Sequence, residues 1–160
     1  MNVLRGFKSL RANIAEALML SVLDDAFILV FGGGDLASPE AGRLSQSVPG
    51  WFIGTVWLIL FLWIAAETSN LRALAGQGAE RAALRLRILL FGAAAYPFYT
   101  LGLRSSVIGL FGNMLTIGLA AAAFEQLRRV RLYACLLPVA VIGWLIFASL
   151  LISDETGRFW

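Results

Sequence analysis

The chain has 160 residues, 59% of them hydrophobic and 14% charged, with a mean hydropathy of +0.80. A soluble domain of this length has no core large enough to hide so much apolar surface, so the solvent the sequence asks for is lipid. A net charge of +3 is too small and too segregated for nucleic-acid binding; no histidine and one cysteine, Cys135, exclude an imidazole base or haem ligand, an intrachain disulfide and a cysteine-based metal site.

The N-terminal arm "VLRGFKSLRANI" is amphipathic and basic, and is expected to lie on the inner membrane surface. A basic arm before an apolar run also suggests a secretion signal. Asp24 and Asp25 interrupt that run and no clear small-residue cleavage site follows, so a retained first helix is expected over 15–31. An ionised carboxylate at the centre of that span costs about 3 kcal/mol or more. Three structural readings of the pair stand open: protonation, pairing with Arg104 or a tyrosine, or a helix that starts late and leaves the acids near the surface. The functional readings are a proton- or cation-coupled site and a docking charge for another membrane subunit.

A long Gly-, Ser- and Pro-rich segment, "GGGDLASPEAGRLSQSVPG", leads to the second span, 51–66. Trp51, Gly54, Leu58 and Phe61 fall there at three- and four-residue steps, with Trp57 beside them. Either the tryptophans belong to an interfacial belt or Trp57 walls a pocket. The third span, 86–103, holds "FGAAAYPFYTLG": Pro97 is expected to kink it, and the Tyr96 and Tyr99 hydroxyls need partners. Gly92 and the alanines 93–95 form a surface for close helix contact. After a tight turn at Arg104-Ser105, the fourth span, 106–124, carries a Gly112, Thr116, Ala120 ridge, and Asn113 as interhelical glue or, second, a ligand contact. The fifth, 132–152, is bent by Pro138 and places Trp144 too deep for an interfacial belt, so its indole should point inward. The expected architecture is one all-α membrane domain over 1–160, a five-transmembrane-helix bundle.

Ten of the thirteen basic residues fall in the N-terminal arm, the second loop and the fourth loop; Arg43, Arg104 and Arg158 are the others. By the positive-inside rule the N-terminus is cytoplasmic and the C-terminus outside, in a membrane such as the bacterial inner membrane.

The order of segments, and two motifs, resemble the TspO/MBR family of translocator and tryptophan-rich sensory proteins. "VPGWFIGTVWLILF" is similar to that family's second-helix opening, with Pro49, Gly50, Trp51, Gly54 and Trp57 in step, and "WLIFASLL" supplies Trp144, Phe147, Ala148 and Leu151 of its fifth-helix pattern. The chain departs from the pattern too. Its first loop has no aromatic residue, Gln46 stands where a loop tryptophan is usual, the alanines around Ala93 replace a polar residue, and Ile152 replaces a terminal Asn. The resemblance implies five helices around a cavity for a flat hydrophobic molecule, a porphyrin or other tetrapyrrole or a sterol. The site would draw on Trp51, Gly54, Trp57, Phe61, Tyr96, Tyr99, Asn113, Trp144, Phe147 and Ala148, with no covalent cofactor and no metal. Considered with the deep Trp144, it moves Trp57 toward pocket wall. Missing loop aromatics argue against porphyrin degradation, and the residues offer no nucleophile–base pair, so no enzyme is expected. Expected partners are the bilayer, the hydrophobic ligand and a second copy through the small-residue faces. The alternatives are a proton-coupled transporter using Asp24 and Asp25, and an accessory subunit of a larger membrane complex.

Overall fold

The computed structural model describes residues 2–31, 48–74, 76–103 and 105–155. Arg43, Gln46, Arg104 and Arg158 lie outside the described residues, as do the side chains of Arg5 and Lys8. What is described is helical throughout: α1 (Asn2–Phe31), α2 (Gly50–Ala73), α3 (Gln77–Ala94), α4 (Ser106–Leu127) and α5 (Leu136–Glu155), with a π turn at Phe98–Gly102 and a 3-10 turn at Leu132–Cys135.

Local chemistry sets the breaks. Pro49 is extended (φ −63°, ψ 137°) and caps α2, its carbonyl accepting the Phe52 N–H at 2.9 Å. Gly76 takes φ +130°, a backbone only glycine adopts freely, and so lets the chain reverse from α2 into α3. Pro97 has no N–H to continue α3. The Phe98 and Tyr99 amides both bond to the Ala95 carbonyl, at 3.1 and 3.3 Å, and the chain widens into the π turn. Ser105 opens α4, its hydroxyl accepting from the Ile108 N–H at 3.4 Å.

Each helix packs on its successor in sequence, and α2 also touches α5, so α2 to α5 close a ring while α1 lies outside against α2. The ring is filled by Phe61, Ile64, Leu86, Leu89, Leu137, Val141 and Leu145, none more than 1% exposed. Large apolar side chains also cover the outside: Leu29, Phe111, Met114 and Leu136 are 62–79% exposed. That distribution suits lipid, which is as apolar as the core.

Among the described residues three stretches are long and apolar enough to cross a membrane: Trp51–Ala73, Ser106–Leu127 and Leu132–Ser153. Charge keeps α1 and α3 from that standard. Glu16, Asp24 and Asp25 lie in α1, and Glu80, Arg81, Arg85 and Arg87 in α3. The expected third span, 86–103, is divided between the end of α3 and the π turn. The amphipathic lead is not a separate surface piece: α1 is one helix of 30 residues, about 45 Å long.

The small residues expected to mediate dimerisation are used within the protomer. A Cβ on Gly112 would stand 2.5 Å from the Tyr99 ring, one on Gly92 would stand 2.8 Å from Leu119, and Ala93, Ala94, Thr116 and Ala120 are all buried.

Polar side chains gather at one end of the bundle. Asn13 on α1 donates to Ser69 on α2 at 2.7 Å and accepts from Arg72 at 3.2 Å. Arg87 on α3 holds Glu16 on α1 at 2.8 Å, and Arg131 reaches the buried Glu67 at 3.3 Å. Glu125 pairs with both Arg128 and Arg129. All ion pairs among the described residues sit at this end, which carries the basic second and fourth loops.

Candidate functional site

A continuous path of aromatic rings crosses the interior from α5 through α2 to the π turn. Phe147 lies 5.4 Å from Trp144 between centroids, Trp144 stands edge-on to Trp57 at 6.2 Å and 89°, Trp57 meets Tyr96 at 5.4 Å, and Tyr96 meets Tyr99 at 5.6 Å. Phe61, one turn along α2, flanks Trp57 at 5.6 Å. Tilted and edge-on pairs at these distances are the favoured arrangements for the ring quadrupole. Helix period explains the assembly: Trp57, Phe61 and Ile64 fall on the α2 face turned into the ring.

Between α2 and α5 the seam opens into a groove of about 360 Å³, lined by Phe52, Val56 and Leu60 on one side and Ala140, Gly143, Trp144 and Phe147 on the other. Nothing lies within 4 Å of where a Gly143 Cβ would be, so space rather than close packing surrounds that glycine. Trp144 stands between groove and aromatic path. Its indole N–H is buried and finds no acceptor among the described residues. Leaving a buried donor unpaired costs about 1–3 kcal/mol.

The polar residues of the expected site bond mainly to one another. The Tyr99 hydroxyl donates to Asn113 Oδ1 at 3.1 Å, the Asn113 amide donates to Ser149 at 2.9 Å, and Ser149 donates to the Leu145 carbonyl at 2.8 Å. This chain ties the π turn, α4 and α5 together. Asn113 is 0% exposed with both ends of its amide engaged, which is the interhelical role.

Other expected residues lie apart from the aromatic path. Trp51 is 73% exposed, its ring 6.2 Å from Phe52 at the start of α2. Gly54 faces α1: a Cβ there would be 3.8 Å from Asp25 Oδ1. Ala148 is buried in α5, Asp24 is 8% exposed, and Asp25 is exposed. Among the described residues no group of acids, cysteines or histidines could hold a metal ion.

Sequence reasoning passed over Phe52, whose ring lies 6.1 Å from Trp144, and Ser149. The i, i+4, i+8 stripe Phe52, Val56, Leu60 and a serine one turn beyond Leu145 in an apolar helix were signals for them.

A family model described as TspO/MBR family matches residues 40–153. No curated protein and no solved structure matches the chain. The matched region takes in α2 to α5 and with them the aromatic path and the groove. This membrane protein belongs to the TspO/MBR family.

Proposed function

We propose that the protein binds a flat hydrophobic molecule, a porphyrin-like tetrapyrrole or a sterol-like ligand, against the Trp57–Trp144 rings, for transport or sensing rather than catalysis. The carrying observation is Trp144: rings on three sides, an adjoining groove of about 360 Å³, and a buried indole N–H without an acceptor. A planar apolar ligand with one acceptor at its edge meets both demands. With no histidine in the chain, stacking and shape would hold a tetrapyrrole.

The same reading takes all five α-helices as spans in a bacterial inner membrane, with the polar end cytoplasmic and the C-terminus outside. The charges of α1 and α3 support it by position: Glu16, Arg85 and Arg87 belong to the polar end, where interfacial charge is tolerated. A homodimer in this reading would use Gly118 and Ala122, four residues apart on the exposed side of α4.

Titration with protoporphyrin IX in detergent, read by its visible absorbance and by tryptophan emission, tests the site. Saturable binding is expected, weakened about five-fold in Trp144→Phe, which keeps a ring but loses a donor worth about 1 kcal/mol. Absence of saturable binding, or equal affinity in the variant, would refute the assignment.

A further inference from the structure

The buried face of α1 runs through Asn13, Ala17 and Asp24, which puts Asp24 on the packed side of the helix with 8% of its surface exposed. No hydrogen bond or ion pair reaches its carboxyl among the described residues, whose ion pairs all lie at the polar end. One turn earlier, at the i, i+3 and i, i+4 positions from the two acids, the Ser21 hydroxyl is also buried and also lacks a partner. A buried carboxylate and a buried hydroxyl left unpaired side by side are costly unless something joins them. Asp25, by contrast, is exposed, with Oδ1 near Gly54, where the missing side chain leaves it room.

We propose that Asp24 is a proton-binding site at membrane depth, completed by the Ser21 hydroxyl and reached through Asp25. The proposal rests on reading α1 as a membrane span. A carboxylate lone pair takes the proton, the charge is neutralised, and the carboxylic acid and the serine hydroxyl each gain a partner. Among the described residues the surroundings supply no counter-charge. From Gly50 to Ala66 α2 has no ionisable side chain. The segment after α3 presents the phenols Tyr96 and Tyr99, the latter bonded to Asn113. On α1 itself the neighbour is Asp25, a like charge. A metal ion is disfavoured because two acids and a hydroxyl on one helix make too thin a ligand set. The site lies where α1 covers the Gly54 face of α2, three residues before Trp57, so its proton would govern how firmly α1 seats on the ligand-binding ring.

Infrared spectroscopy of the protein in phosphatidylcholine vesicles tests this. At neutral pH a protonated-carboxyl C=O band should be present, should shift in deuterated water, and should disappear in Asp24→Asn while persisting in Asp25→Asn. Ser21→Ala should move the band by removing its hydrogen bond. Should Asp24→Asn fold poorly, Asp24→Glu should displace the band instead of erasing it. No band at neutral pH, as when the carboxylate pairs with a cation such as Arg104, overturns the proposal. So does a band untouched by changes at Asp24. A Val22→Cys variant open to a membrane-impermeant thiol reagent would overturn it by removing α1 from the bilayer. Porphyrin titration of the same samples separates the two assignments: a band lost in Asp24→Asn from protein that binds no porphyrin leaves the proton site standing and the ligand site refuted.

Discussion

At Gly112 the Tyr99 ring occupies the space of a side chain, so even a methyl group there would collide at 2.5 Å. Gly112→Ala should therefore lower stability by about 1–3 kcal/mol through overpacking, measured by thermal unfolding in detergent. It should also loosen the bond from Tyr99 to Asn113. Gly118→Ala is its control in monomeric protein: nothing in the protomer lies within 4 Å of that position, and the change should be neutral or slightly stabilising there. At this scale the sequence is informative where burial alone decides. Trp144 is legible as an inward residue because a tryptophan at mid-helix depth has no interface to sit in; Trp57, beside the Trp51–Phe61 stripe, stays open between belt and pocket wall until Trp144 and the family resemblance are considered with it. Pairing is less legible. That Asn113 serves Tyr99 and Ser149 at once depends on how three segments cross, which no local pattern encodes. Trp51 follows its register out of the ring, and its matching motif position says nothing of that exposure.

The most consequential break in an element is at Pro97. Restoring the missing N–H with Pro97→Ala should extend α3 through the π turn and rotate Tyr99 away from its notch at Gly112. The expected signs are a changed near-ultraviolet circular dichroism spectrum and weaker porphyrin affinity, with total helix content hardly altered. A proline kink was readable in the sequence; its form, two amides sharing the Ala95 carbonyl, was not, because the wide turn depends on Tyr99 finding Asn113. The joint between α2 and the loop after α4 is a second test. Glu67 is 7% exposed and meets Arg131 and Asn70. Arg131→Ala leaves a buried carboxylate short of its cation and should cost about 1–3 kcal/mol, read as a lower midpoint on denaturation. Partial exposure of Arg131 keeps the figure below that of a fully buried pair.

For the whole molecule, charge placement carried the sequence reading furthest. Alternation alone groups the basic second and fourth loops on one side, and the structure brings them to one end with Glu16, Glu67 and Glu125 as partners. The arrangement of the helices was not legible: apolar helices have similar faces, and a ring of α2 to α5 with α1 outside arises from side-chain fit. Orientation is open to direct test. Single cysteines at positions 70 and 129, in a Cys135→Ser background, should react with a thiol reagent from the cytoplasmic side, and one at 105 from the opposite side; the reverse pattern would overturn the assigned orientation.

The position of α1 outside the ring has a consequence for the film around it. Asp25 is exposed on this outer helix, so its carboxylate meets the membrane on one side of the bundle only. Lipid beside a charge at membrane depth thins locally and lets water in to reach it. The protein should thus carry a one-sided dimple along α1, bringing bulk water down to Asp25 with no channel through the bundle. Lengthening the acyl chains of the vesicles should fill that dimple and slow hydrogen–deuterium exchange at the Asp24 carboxyl; exchange indifferent to chain length would show that water arrives by another path.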